Sequence, residues 1–313
     1  MTFRHLPDLA VRGLGGSVIA ANDEAFADRQ ALIRPHPALF HTHDFGAKGQ
    51  IYDGWETRRR RTTGHDWAIV RLGLPGVIHG LVIDTAWFKG NYPPYASVEA
   101  CTADEPLAHE ELTGWTEILP RSPLGGDREH EFAVDDPNRY THVRLNIYPD
   151  GGVARLRVHG EVVPDPAFLH GLTVDLAALA NGALVIDCSN QFYSSPNNVI
   201  APGLARHQAE GWETARRRDD GNDWLVVRLA GRGTVTVAEI DTTHLVFNAP
   251  GWVSLSGRDG DGDWFSLLGK TRLQPDAPHR FRLDSDRPVT HVKCDIYPDG
   301  GLARLRLLGD LLS

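Results

Sequence analysis

The chain has little cysteine, and what it has is scattered. Cys101, Cys188 and Cys294 stand far apart in 313 residues, with no C-x-x-C spacing among them. An odd number so placed argues against a disulfide framework and suits a reducing compartment. Long apolar runs are also missing. No stretch approaches a membrane span and residues 1–16 carry no apolar h-region, so a soluble, cytoplasmic protein with no membrane partner is expected. Excess positive charge is absent as well. Lys and Arg number 32 against 41 Asp and Glu, a net charge of −9, which excludes a general nucleic-acid binder. The cations that are present are almost all arginine, and they come in blocks. Arginine blocks on an acidic background suit pockets for small anions, because the guanidinium fork grips a carboxylate with two bonds.

What is present, above all, is a repeat. Asp53-Gly54-Trp55-Glu56-Thr57 runs into Arg58 to Arg61 and then Gly64-His65-Asp66-Trp67. The second occurrence is Glu210-Gly211-Trp212-Glu213-Thr214-Ala215-Arg216-Arg217-Arg218, followed by Gly221-Asn222-Asp223-Trp224. The copies stay in register without a gap from Gly54 to Pro93 against Gly211 to Pro250. Burying an arginine block is too costly unless it is paired, and a solvated loop has no reason to keep its tryptophans in step. A ligand site is the preferred reading; a salt-bridged turn inherited by duplication is the plainer one.

Taken in order, each copy opens on a short helical signal, Leu6 to Ala10 in the first and Val174 to Ala180, stopped by Asn181-Gly182, in the second. Strands follow at 17–23 and 183–188, then, beyond the motif, at 67–72 and 224–229, at 77–84 and 235–241, and at 95–100 and 252–256. Between the last two pairs lie Asn91-Tyr92-Pro93-Pro94 and Asn248-Ala249-Pro250-Gly251. The copies close on near-identical text, Ile147-Tyr148-Pro149-Asp150-Gly151-Gly152 and Ile296-Tyr297-Pro298-Asp299-Gly300-Gly301, each leading into an Arg-Leu-Arg strand. Pro-Asp-Gly-Gly is turn chemistry, so a hairpin is expected around it. Short strands, frequent turns and one module used twice predict an all-β chain: two tandem antiparallel jelly-roll β-sandwiches, residues 1–163 and 164–313. The boundary falls at Val163-Pro164-Asp165-Pro166. The order of elements resembles the galactose-binding, or discoidin-like, sandwich, in which loops at one end make the ligand site.

The resemblance then becomes narrower. The motif at 53–67, Val70-Arg71-Leu72-Gly73-Leu74-Pro75-Gly76-Val77-Ile78 and Gly90-Asn91-Tyr92-Pro93-Pro94 together look like the allantoicase family. Gly211-Trp212-Glu213-Thr214-Ala215-Arg216-Arg217 and Pro196-Asn197-Asn198 fit it too. The similarity covers nearly the whole chain as two repeats. It implies hydrolysis of allantoate to ureidoglycolate and urea in purine catabolism. The chain departs from the family's pattern at Trp87-Phe88 and at Thr243-His244-Leu245-Val246-Phe247.

Allantoate is a small anion with two ureido arms on the carbon that bears its carboxylate. Its site needs a cation, amide-like partners and a group that moves protons. Arg59 and Arg60, with Arg216 and Arg217, are candidates for the anion clamp. Alternate side chains of an extended run point opposite ways, so some of the block must pair with Glu56 or Asp66 instead. Glu56 and Glu213 are the acid–base candidates, with neighbouring guanidinium groups expected to lower their pKa and favour the base role. His65, present in the first copy only, is a candidate acid, although a lone loop histidine is more often structural. Asn91 and Tyr92 are candidates for the ureido arms. His41-Thr42-His43-Asp44 could ligate a divalent metal, but the counterpart loop lacks it, and neither metal nor cofactor is expected. A homo-oligomer is expected. Two other classes fit the fold: a non-catalytic tandem carbohydrate- or small-molecule-binding protein, and an assembly protein whose arginines bridge subunits. Urea release from allantoate separates them.

Overall fold

The computed structural model describes residues 3–40, 44–46 and 49–312. The chain divides into two compact units, Met1–Val163 and Pro164–Ser313. The first carries β1 (Ser17–Ala21), β2 (Phe45–Gly46), β3 (Gly49–Gln50), β4 (Trp55–Glu56), β5 (Asp66–Asp84) and β6 (Tyr95–Cys101). After these come β7 (Thr116–Pro123), β8 (Glu129–Ala133), β9 (Arg139–Tyr148), β10 (Gly152–Val153) and β11 (Arg155–Val162). The second unit holds β12 (Thr173–Asp175), β13 (Leu184–Cys188), β14 (Trp212–Glu213), β15 (Asp223–Asp241) and β16 (Trp252–Arg258). It ends with β17 (Phe265–Arg272), β18 (Pro278–Arg282), β19 (Val289–Tyr297), β20 (Gly301–Leu302) and β21 (Arg304–Leu311). Among the described residues the only helical segments are short 3₁₀ turns, and no helix is long and apolar enough to cross a membrane.

Each unit is built on one strand of 19 residues, β5 or β15. The first half of β5 lies between β1 and β9. Its second half lies between β11 and β8. The ladder to β9 breaks between Arg71 and Gly76, a stretch that contains Pro75, which has no N–H to donate. There the strand leaves the β1-β5-β9-β6-β7 sheet and enters β11-β5-β8, as strands do at the corners of a sandwich. β15 repeats this, with β13 and β19 on its first half, β21 and β18 on its second, and a break between Arg228 and Gly233. The expected pairs of separate strands are therefore single strands that serve two layers. Both units are antiparallel jelly-roll sandwiches.

Between the layers lie fully buried β-branched and aliphatic side chains, among them Val70, Val98, Val143 and Leu145 in the first unit. Val227, Leu255, Val292 and Ile296 do the same in the second. Each contributes roughly 1.5–3 kcal/mol by leaving water. The three cysteines are free, and burial pushes the Cys101 thiol up to about 11.

Two expectations change. The segments at 6–10 and 174–180 are not helices. Asp8 accepts from the Ala10 and Val158 N–H groups, and Asp175 from those of Ala177 and Leu307. An Asp that bonds the nearby backbone competes with the helix ladder, so each segment becomes an anchored turn. The helix stop was half right: Gly182, at φ 94°, caps the 3₁₀ turn Leu179–Asn181. Nor is Pro-Asp-Gly-Gly a hairpin tip. β9 and β11 do not pair; they flank opposite halves of β5.

Candidate active site

That turn is instead the hub of the site. Residue by residue it fastens the motif to the sandwich. The His65 ring packs tilted against Tyr148, with centroids 4.8 Å apart. The Asp66 N–H donates to the Pro149 carbonyl at 3.2 Å. The Arg60 N–H donates to Asp150 Oδ2 at 2.8 Å. Thr57 N–H donates to the Gly151 carbonyl at 3.1 Å and the Gly151 N–H returns to Thr57 Oγ1 at 3.1 Å. Gly152 pairs with Glu56 across β10 and β4, and its N–H donates to the Asn91 carbonyl at 2.8 Å. Gly151 has φ 143°, and a Cβ there would sit 2.7 Å from Pro93 N and 2.8 Å from Asn91 O. Only glycine lets the Asn91 loop come this close. The second unit repeats the hub, with Asp223 on Pro298, Arg217 on Asp299, Thr214 on Gly300 and Asn248 on Gly301.

Beneath the motif the tryptophans are buried but satisfied. Trp55 Nε1 donates to the Asp23 carbonyl and Trp212 Nε1 to that of Asn190, both at 2.7 Å. Arg155, also buried, donates to Asp53 Oδ2 at 2.6 Å and to the Asp53 carbonyl at 3.0 Å.

The arginine block alternates as an extended chain should. Arg58 pairs with Asp23 at 2.7 Å and Arg60 Nη1 with Asp66 Oδ1 at 2.6 Å. Arg59 and Arg61 are exposed and make no ion pair among the described residues. The second copy matches: Arg217 Nη1 meets Asp223 Oδ1 at 2.7 Å, while Arg216 and Arg218 are exposed and make no ion pair among the described residues. Arg60 and Arg217, expected as anion clamps, are thus committed to buried carboxylates. The physical reason is that Asp66 and Asp223, each 1% exposed, need a cation more than the surface does.

Glu56 lies in a different environment from the one expected. No guanidinium pairs with it among the described residues; burial raises its carboxyl above the ordinary range, and a bond from Asn91 Nδ2 to Oε1, at 2.7 Å, offsets only part of that. The arginines next to Glu56 in the chain are not next to its carboxylate in space: Arg58 and Arg60 turn to Asp23 and Asp66. Glu213 has the equivalent bond from Asn248 Nδ2 at 2.6 Å. Tyr92 is half-buried, its ring against Gly126. His65 makes no hydrogen bond among the described residues; its ring contact is the tilted one with Tyr148. His41 and His43 lie outside the described residues; among those described no group of three or more His, Cys, Asp or Glu side chains could hold a metal. A cavity of about 410 Å³ lies alongside, lined by Phe26, Ala27, Arg34, Ile51, Tyr52 and Gly54 rather than by the Glu56 carboxylate.

A model of the allantoicase repeat matches the chain twice, over residues 7–163 and 174–312. The chain belongs to the allantoicase family. A Nocardia farcinica protein named probable allantoicase is 54% identical over 99% of this chain and 95% of its own length. One of the same name from Streptomyces coelicolor is 50% identical over 99% and 87%. The crystal structure of the allantoicase of Saccharomyces cerevisiae superposes with a TM-score of 0.84 at 34% identity, over 97% of this chain and 92% of that one. The chain is accordingly a hydrolase of the allantoicase kind.

Within this allantoicase-family chain the hub residues Asp150 and Asp299 were read in sequence only as part of a turn. Their signal was there, in the repeated Tyr-Pro-Asp-Gly-Gly text. Asn248 was read as loop chemistry, although it stands in register with Asn91. Asn22 and Ser189, which donate to Asp66 and Asp223 at 2.8 and 2.9 Å, had no common sequence signal because the two copies use different residue types.

Proposed function

We propose that allantoate is bound and hydrolysed at the loop end of the first unit, around Glu56, Asn91 and Arg59. The observation that carries this reading is the Glu56–Asn91 pair: a half-buried carboxylate, fixed by an amide, in the same segment as an unpaired guanidinium. In the reaction a C–N bond to one ureido arm breaks, the oxygen of water bonds to that carbon, and the freed nitrogen gains a proton and leaves as urea. Glu56 takes the proton from water and passes it to the departing nitrogen. A carboxyl with a raised pKa is a stronger base when ionised than an ordinary one, which suits both halves of that task. Arg59 holds the substrate carboxylate with a charge-assisted bond. Asn91 and Tyr92 meet the ureido arms. His65 is the second candidate for moving a proton. Arg60 acts through Asp66, as a positioning residue.

Glu213, Arg216 and Asn248 are the counterparts in the second unit, with Arg217 in the positioning role. Its replacement of His65 by Asn222, which donates to Asp295 Oδ1 at 2.9 Å, supports the first unit as the principal site. The two allantoicase-type repeats are residues 1–163 and 164–313. The enzyme works in the cytoplasm, as a homo-oligomer, on a small anionic substrate and not on nucleic acid or membrane. The test is urea release from allantoate by the wild-type chain and by Glu56→Gln. Turnover by the first and its loss in a folded second is the expected result; equal turnover by both returns Glu56 to a structural role.

A further inference from the structure

Glu56 and Glu213 occupy the same place in their units, yet their oxygens are not equally free. Each receives an asparagine amide on Oε1. Oε2 of Glu56 has no partner among the described residues, whereas Oε2 of Glu213 accepts from Gln208 Nε2 at 2.6 Å. Gln208 opens a one-turn 3₁₀ segment, Gln208–Glu210. That segment is braced on both sides: Arg206 pairs with Glu210, and Arg304 Nη1 donates to the Glu210 carbonyl at 2.7 Å. The register position of Gln208 in the first unit is Ile51, which has no amide to offer.

We propose that Gln208 is a built-in carboxamide ligand of the second unit, closing the subsite at Glu213 to substrate, and that its contact is the one a ureido NH₂ makes with Glu56 Oε2. This rests on the reading of Glu56 as the carboxylate that meets the substrate. The chemistry is matched: a primary carboxamide and a ureido terminus are both planar, neutral NH₂ donors. A tethered amide also has the advantage of proximity, acting at an effective concentration of order mM without any new contact. A free ureido ligand must displace it, and so fills the first unit before the second.

The probe is N-carbamoylglycine, which has one ureido arm and a carboxylate but no second arm to expel. Calorimetric titration should give one more site per chain for Gln208→Ala than for wild type, and Glu213→Gln added to Gln208→Ala should remove it. Gln208 is exposed, so the substitution leaves the fold intact. Equal stoichiometry in wild type and Gln208→Ala, whether one site or two, overturns the proposal. So does a gained site that survives Glu213→Gln. The wild-type site is checked separately: Glu56→Gln should weaken it by about tenfold or more, the loss of a charge-assisted bond. If it does not, the reading of Glu56 fails, while the Gln208 comparison still decides for or against the closed subsite.

Discussion

Two neighbouring arginines in one block should fail in opposite ways when replaced. Arg60→Ala removes one of the two donors to Asp66 Oδ1, leaving Asn22 alone on a carboxylate that is 1% exposed. Oδ2 of that carboxylate is already buried with no hydrogen-bond partner among the described residues. Breaking a buried pair this way costs about 3 kcal/mol, the low end of the range because the Arg60 side chain is itself 25% exposed. For a unit of this size that is roughly 6–12 °C in Tm. Arg59→Ala strands nothing, since its guanidinium makes no ion pair among the described residues, and stability should stay within about 0.5 kcal/mol. Its loss appears in binding instead. One charge-assisted bond to the substrate carboxylate is worth about 1.5–3 kcal/mol, a rise in KM of tenfold or more with kcat little changed. Thermal unfolding followed by circular dichroism, with urea release at 25 °C, reads both effects. Arg216→Ala, in the second unit, should raise KM less than Arg59→Ala. An Arg60→Ala protein that melts with the wild type but binds poorly, beside a kinetically silent Arg59→Ala, would refute the assignment of roles.

Glu56→Gln should lower turnover by roughly 10²–10⁴. It should also change stability with a definite sign. Because burial raises the folded-state pKa, Glu56 costs stability above that pKa, and the cost disappears below the unfolded value. Glu56→Gln should therefore melt higher than wild type at neutral pH and alongside it in acid; a lower melting temperature at neutral pH would mean that the carboxylate is a net stabiliser. Asn91→Ala removes the one bond that lowers the Glu56 pKa. The acid limb of kcat/KM should move to higher pH, and a limb that stays put, or moves down, would detach Asn91 from the reacting carboxylate.

Much of this was legible in the sequence, and the failures have specific causes. The two-module sandwich could be read because β-branched runs and turn residues recur in register, a signal that survives errors in any one element. β7 and β17 carried no such signal: both lie at sheet edges, pair on one side and are mostly exposed, so apolar alternation is not required of them. The fusion of two predicted strands into β5 was hidden by Pro75-Gly76, which breaks the ladder without ending the strand. The environment of Glu56 was misjudged for another reason. Arg58 to Arg61 follow it closely in the chain, but Arg58 is drawn to Asp23, which arrives from elsewhere in the fold, and Arg60 to Asp66, further along the same motif.

That separation bears on what a duplicated motif can prove. Trp55 and Trp212 keep register because each must give its Nε1 to a loop carbonyl. Thr57 and Thr214 keep it because each closes a reciprocal pair with a turn glycine. Arg60 and Arg217 keep it because each neutralises a buried aspartate. All of these would be retained by a module that bound nothing, so most of the motif speaks for the scaffold. The residues left without such an obligation are Glu56, whose Oε2 has no partner among the described residues, and the exposed arginines, Arg59 with Arg216 and Arg61 with Arg218. Glu56, its pKa raised by burial, destabilises the fold when ionised, and a guanidinium with no ion pair among the described residues adds nothing to it. Groups kept without a scaffold role support the proposed site at Glu56 and Arg59 for allantoate, an anion with NH₂ donors.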